Sequence, residues 1–456
     1  MESYIKNPKG LIVNFLNQGH PRSIAAKKNI IASFLIKGVS IIITFLLVPL
    51  TINYIEPSNY GIWLTLSSII SWFAFFDIGF GHGLRNKFAE AKSSGNIEQI
   101  RKYISTTYIS LITVFSVVWL LFFITNQFID WGAILNVQKK NPDELSKLSI
   151  LIFTFFCLQI VLKTINIILI ADQKSAKAGL SDMIGQLIAL ISIFVLTQVS
   201  KGSLIHVSIV LGLAPVVVLF FATIYYFKEK YKPLRPSIKY FSLHDAKDIM
   251  GLGVKFFFIQ IGVIIIFQTT NIVIAQFLGP TEVTIYNIAY KYFFTLNMIS
   301  IIILTPFWSA FTEAYTKQDF YWMKKTVKKL NKTWLYSIPI IIIMVLISNT
   351  LYKYWIGDKV HIPFSVSLAM GIYVLAFTRF NLFIYLINGI GKIKLQLIVY
   401  MMLCAIYIPM VILLCKWKGL EGVIWGNILI SLIHACISQI QIEKLINNKA
   451  NSIWNK

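Results

Sequence analysis

A chain of 456 residues that is 57% hydrophobic and 13% charged does not match a soluble domain, which is roughly half apolar and a quarter charged. A bilayer has to solvate the surplus apolar surface. The net charge of +23 would suggest nucleic acid in a soluble chain, but no basic stretch outside the apolar runs is interleaved with an aromatic stacking platform, so no nucleic-acid partner is expected.

In chain order, the N-terminal region offers only a short apolar run, Leu11 to Leu16, followed by Pro21. That is too short for a signal-peptide core, so the first span is expected to insert uncleaved. Apolar stretches of the roughly 20 residues that cross a bilayer then recur near 29–53, 60–82, 103–126, 148–171, 178–199 and 203–227. A second set lies near 250–278, 283–310, 333–351, 362–388, 395–415 and 420–442. The reading is an all-α integral membrane protein with about twelve transmembrane helices, since a barrel would need short alternating strands. Pro49, Pro215, Pro306, Pro339 and Pro409 fall in or near the spans and suggest kinks.

Lys and Arg set the orientation. With a cytoplasmic N-terminus, the inside segments hold 29 of them and the outside loops 8. Both termini are therefore expected in the cytoplasm, and most of the net charge follows from topology. The stretch 228–248, with Pro233, Pro236 and six basic residues, sits midway between spans six and seven. It divides the chain into an N-terminal six-helix bundle, residues 1–230, a linker, 231–248, and a C-terminal six-helix bundle, 249–456. A weak repeat supports this: a shift of 223 residues brings Pro57 onto Pro280, Ile62 onto Ile285 and Phe88-Ala89-Glu90-Ala91 onto Phe311-Thr312-Glu313-Ala314. Six spans per half give two parallel bundles, related by an axis along the membrane normal, around a central cavity.

Charges inside the spans are the candidate functional groups, because each costs roughly 2.5–3.5 kcal/mol to bury at mid-bilayer and usually faces a bundle interior or a water-filled cavity. The basic ones are Lys37, Lys163, Lys255, Lys291 and Arg379. Lys255, nearest an interface, can instead snorkel. Too few deep acids exist to pair the others, and unpaired cations in a cavity suit an anion such as phosphate. Asp77 is the clear intramembrane acid and opens Asp77-Ile-Gly-Phe-Gly-His-Gly-Leu-Arg-Asn86. It suits a structural ion pair with Arg85 or a cavity lysine, or a protonatable gate, with His82 beside it. The glycines allow close packing or a sharp helix exit. Tyr286, Tyr290 and Tyr292 flank Lys291 and suit packing, or stacking on sugar rings. Cys157, Cys404, Cys415 and Cys436 form no CxxC and cluster with no His, so no zinc site or disulfide framework is expected, and no cofactor or catalytic residue is assigned.

The run Tyr60-Gly61-Ile62-Trp63 through Phe76-Asp77-Ile78-Gly79, then Gly83-Leu84-Arg85-Asn86, resembles the signature region of bacterial polysaccharide repeat-unit flippases. These are the O-antigen (Wzx-type) translocases of the multidrug/oligosaccharidyl-lipid/polysaccharide exporter superfamily. The resemblance implies two six-helix bundles about a cavity in the bacterial inner membrane. It implies an undecaprenyl-pyrophosphate-linked oligosaccharide as substrate, moved to the periplasmic leaflet by alternating access. Partners implied are membrane lipid, a polysaccharide polymerase and a chain-length regulator. Two rivals lie in the same superfamily, a cation-coupled multidrug exporter and a peptidoglycan-precursor flippase. A membrane polysaccharide polymerase is the enzyme rival. Deep cations argue against the first, and the few acids of the longest outer loop, Asp130, Asp143 and Glu144, argue against the last.

Overall fold

The computed structural model describes residues 21–77, 79–137 and 142–455; side chains of 21–30, 251–261 and of 75, 82, 93, 263, 264, 267, 306, 309 and 313 are outside that description. The described residues are helical, with no strand among them. The first half comprises α1 (Pro21–Ile55), α2 (Pro57–Ser71), α3 (Phe80–Ser93), α4 (Ile97–Thr125), the short α5 (Trp131–Leu135), α6 (Pro142–Leu162), α7 (Thr164–Ala171), α8 (Ser175–Val199) and α9 (Leu204–Lys228). The second comprises α10 (Leu243–Leu278), α11 (Pro280–Thr316), α12 (Phe320–Leu335), α13 (Ser337–Ile356), α14 (Phe364–Ile390) and α15 (Lys394–Ile446).

Nine helical stretches among the described residues are long and apolar enough to cross a membrane. One of them, α15, is two crossings, because Gly419 at φ 60° breaks it. The α2 segment, prolonged by a 3₁₀ turn over Trp72–Asp77, and α10 complete twelve rods. Helix starts follow local chemistry: Asn96, Ser203, Ser242 and Asp319 each accept a backbone N–H of their own first turn. The Ser242 cap explains why α10 begins at Leu243, inside the stretch read as linker. The remaining linker is fastened to α4 rather than loose. Arg101 Nε donates to the Arg235 carbonyl at 3.0 Å, and Ser105 Oγ and Thr106 Oγ1 accept the backbone N–H of Ser237 and Ser242.

The two prolines that the 223-residue shift aligns lie where α2 and α11 meet. Pro57 opens α2 and Pro280 opens α11, and the two helices pack against each other. Thr284 Oγ1 donates to the Pro57 carbonyl at 2.6 Å, and a Cβ on Gly61 would stand 1.7 Å from Pro280 O. A shift of 223 residues converts the pair 57–284 into the pair 280–61. Contacts that exchange in this way are what a two-fold axis between α2 and α11 produces. At the same end Trp355 Nε1 donates to the Phe45 carbonyl at 2.6 Å and Lys359 Nζ to the Asn53 carbonyl at 3.2 Å. The halves are therefore sealed at the end carrying Pro57 and Pro280.

At the other end, the linker end, a clasp ties the last turn of α3 to the segments that follow α7 and α9. The Asp172 carboxylate, 6% exposed, receives Lys92, Lys174 and Lys230, and Tyr231 Oη donates to it at 2.7 Å. Burial pushes this carboxyl up, but the hydrogen bonds from Lys92, Lys174 and Tyr231 outweigh it and hold it below the ordinary 3.8. A carboxyl lowered by folding stabilises above its unfolded value, and that contribution disappears as pH falls through the lower folded value. Asp172→Asn should thus cost on the order of 1–2 kcal/mol at neutral pH. In thermal melts of the purified protein the gap to wild type should close as the pH falls below 3.8. A gap that persists unchanged in acid would show the carboxylate charge to be irrelevant.

Candidate functional site

The segment Phe76 to Asn86 uses its glycines in two ways. Gly79, at φ 77°, lets the chain leave the 3₁₀ turn and start α3. Gly83 packs on α10, where a Cβ would lie 2.2 Å from Ile249 O. The Asp77 carboxylate accepts the Gly81 N–H at 3.2 Å and makes no ion pair among the described residues. Arg85 is exposed. The side chains of His82 and Lys255 lie outside the described residues.

The structure separates the deep cations. Lys37 of α1 and Lys291 of α11 line one cavity of about 280 Å³ between the two halves. Its walls include Ser40, Ile41, Thr44 and Phe45 of α1, Gln186 of α8, and Tyr290, Phe294, Thr295 and Met298 of α11. None of its lining residues is acidic. Lys291 Nζ donates to Tyr60 Oη at 2.7 Å and sits 5.4 Å from that ring's centre, so it reaches from the second half into the first. A neighbouring cavity of about 320 Å³ shares Tyr290, Phe294 and Ile301 and adds Asn297, Asn381 and Tyr385. Asn381 Nδ2 donates to Asn297 Oδ1 at 2.8 Å. Tyr290 stacks on Phe294 at 3.8 Å, whereas Tyr286 and Tyr292 are buried in packing.

Arg379 and Lys163 stand elsewhere. Arg379 donates to Asn331 Oδ1 at 2.9 Å and Gln439 Oε1 at 3.0 Å, and lies between the rings of Trp334 and Phe383. That cage is inside the second half, among α12, α14 and α15. Lys163 is exposed at the junction of α6 and α7, where it acts electrostatically on Asp182. Neither lines the cavity.

Several uncharged polar residues complete the site. Gln186 Oε1 is buried on the cavity wall without a hydrogen-bond partner, a strong incentive to accept a donor from a ligand. Asn297 and Asn381 hold further amides. Their signal in the sequence was the presence of amides in apolar spans, where an unpaired polar group is costly. The two facing lysines, amide and hydroxyl groups and an aromatic ring can hold an anion and the hydroxyls beside it. Among the described residues no group of His, Cys, Asp and Glu is arranged to hold a metal ion.

The model of a family described as polysaccharide biosynthesis protein matches residues 26–311. No curated protein matches the sequence. Solved structures are similar in fold. One is described as the inward-facing conformation of a multidrug resistance MATE family transporter of the MOP superfamily: TM-score 0.70, 15% identity, 90% of this chain and 96% of that one covered. An outward-facing structure described in the same terms gives a TM-score of 0.65, 14% identity, and coverage of 96% and 99%. A third is a MOP superfamily transporter from Pyrococcus furiosus, described as having a binding pocket of reverse polarity that suggests a different function. It gives a TM-score of 0.65, 13% identity, and coverage of 96% and 99%.

Proposed function

Because the chain belongs to the polysaccharide biosynthesis protein family and carries a transporter fold, we propose that it is a flippase for a polyprenyl-pyrophosphate-linked oligosaccharide, undecaprenyl-linked in bacteria. It moves the headgroup from the cytoplasmic to the periplasmic leaflet, with the linker end and both termini cytoplasmic. The surplus of Lys and Arg in the linker-end segments supports that orientation.

One observation carries the reading: Lys37 and Lys291 share an interhalf cavity with no acidic lining residue. A diphosphate cannot enter a low-dielectric layer uncompensated. Two ammonium groups offset its charge, while Gln186, Asn297 and Asn381 suit sugar hydroxyls. The polyprenyl tail stays in lipid, beside the exposed apolar face of α1 (Leu35, Ile42). Breaking the Pro57–Pro280 seal and closing the linker end then turns the cavity over. An exporter of cationic drugs would favour the opposite polarity in this cavity. A polymerase or another enzyme gains no support from the family or the fold.

The test is translocation in proteoliposomes. A fluorescent polyprenyl-pyrophosphate-linked oligosaccharide is placed in one leaflet, and its arrival in the other is read by an impermeant quencher. Protein-dependent arrival is expected for this substrate, with none for an organic cation. Transport of the cation alone would overturn the reading, and faster transport of a peptidoglycan precursor would reassign the substrate.

A further inference from the structure

A second site lies on the opposite side of the second half, independent of the substrate cavity. Helix α12 is amphipathic. Met323, Thr326, Val327 and Leu330 are buried against the bundle, while Lys324, Lys325, Lys328, Lys329 and Lys332 are exposed. None of the five forms an ion pair with a described acidic residue. The shift of 223 residues puts Arg101 and Lys102 of the first half where Lys324 and Lys325 stand, but Ser105, Thr106 and Ile109 where Lys328, Lys329 and Lys332 stand, so these last three have no basic counterpart in the first half.

Directly beneath the lysines the rod is interrupted: α12 ends at Leu335 and α13 begins at Ser337. An apolar groove of about 180 Å³ opens there, between α11, the α12–α13 junction and α14. Leu296, Ile299, Ser300 and Ile303 line it from a face of α11 other than the one that bears Lys291. Ile299 and Ile303 are 49% and 44% exposed, so the groove opens toward lipid. Thr333 and Tyr336 form its upper rim. Lys329 precedes Thr333 by one turn, and Lys325 precedes Lys329 by one turn, so both stand above the rim on the same face. Lys332 adjoins it. The place thus combines an apolar slot at the depth of acyl chains with cations at the depth of headgroups.

We propose that this groove binds an anionic glycerophospholipid. One acyl chain fills the slot beside Ile299 and Ile303, and the headgroup phosphate rests on Lys325, Lys329 and Lys332. Charge complementarity selects the occupant: a lysine contributes electrostatic attraction to an anionic lipid headgroup only close to the surface, where these residues lie, and a neutral zwitterionic lipid gains far less.

The experiment reconstitutes the full chain into nanodiscs of equal parts phosphatidylethanolamine and phosphatidylglycerol. Lipid retained by the protein after release is counted by native mass spectrometry. Wild type should retain phosphatidylglycerol selectively. The triple variant K325Q/K329Q/K332Q should lose that retention by roughly tenfold or more. S300W, which fills the slot while leaving every lysine in place, should lose it too. K324Q/K328Q, on the neighbouring stripe of the same helix, should retain it. Unchanged retention in the triple variant or in S300W overturns the site. Equal loss in K324Q/K328Q overturns it as well, reducing the attraction to diffuse surface charge.

Discussion

Replacing Lys291 by alanine is expected to lower oligosaccharide translocation per folded protein by roughly 10- to 100-fold, the loss of one to two charge-assisted hydrogen bonds to a diphosphate. Lys291 is held in place by Tyr60, so the ammonium is preorganised between the halves. Tyr60→Phe keeps the ring and removes the hydroxyl acceptor, and should therefore cost only a few-fold. Lys37→Ala should fall in the same direction, and the double variant should lose less than the product of the two, because both act on one ligand. Arg379→Ala should behave differently. Both its guanidinium hydrogen bonds go to Asn331 and Gln439, so the amount of folded protein should drop while the protein that remains transports. Wild-type translocation by Lys291→Ala would sink the cavity assignment.

The second large effect is expected at Gly61. Its backbone packs on Pro280 so closely that a side chain would stand 1.7 Å from a carbonyl oxygen, and backbone cannot rotate away as a side-chain tip can. Gly61→Val should force α2 and α11 apart, break the bond from Thr284 to the Pro57 carbonyl and destroy the seal at that end. Spin labels at Ser58 and Thr281, both exposed, should report a longer separation than in the unsubstituted background. If the chain works by the proposed alternating access, turnover should fall to background, since that cycle needs both closures. The same distance distribution with and without Gly61→Val would refute the role given to this contact.

Much of the architecture was legible because it is local. The stretch read as linker, 231–248, overlaps the first turns of α10 from Leu243, since the Ser242 cap that starts the helix carries no hydropathy signal. Asp77 was read as a structural ion pair or a protonatable gate; among the described residues its carboxylate accepts the Gly81 N–H and forms no ion pair. Lys37, Lys163, Lys291 and Arg379 looked alike in the sequence, each a cation deep in an apolar run. Gln186 drew no notice there at all. Its position on the cavity wall depends on how α8 is rotated against α1.

The sequence by itself determined the all-helical membrane class and the twelve crossings. Bilayer thickness fixes the length of each apolar run, and every backbone polar group must be satisfied within its own segment. The repeat of Pro57 in Pro280 also lay in the sequence. Only the tertiary structure decided where the deep cations of the spans lie and what they touch. A helix turns about 100° per residue, so depth in the membrane says nothing about which neighbour a side chain meets. Packing of α1, α8 and α11 brought Lys37 and Lys291 to one cavity, and packing of α12, α14 and α15 closed Arg379 into a cage.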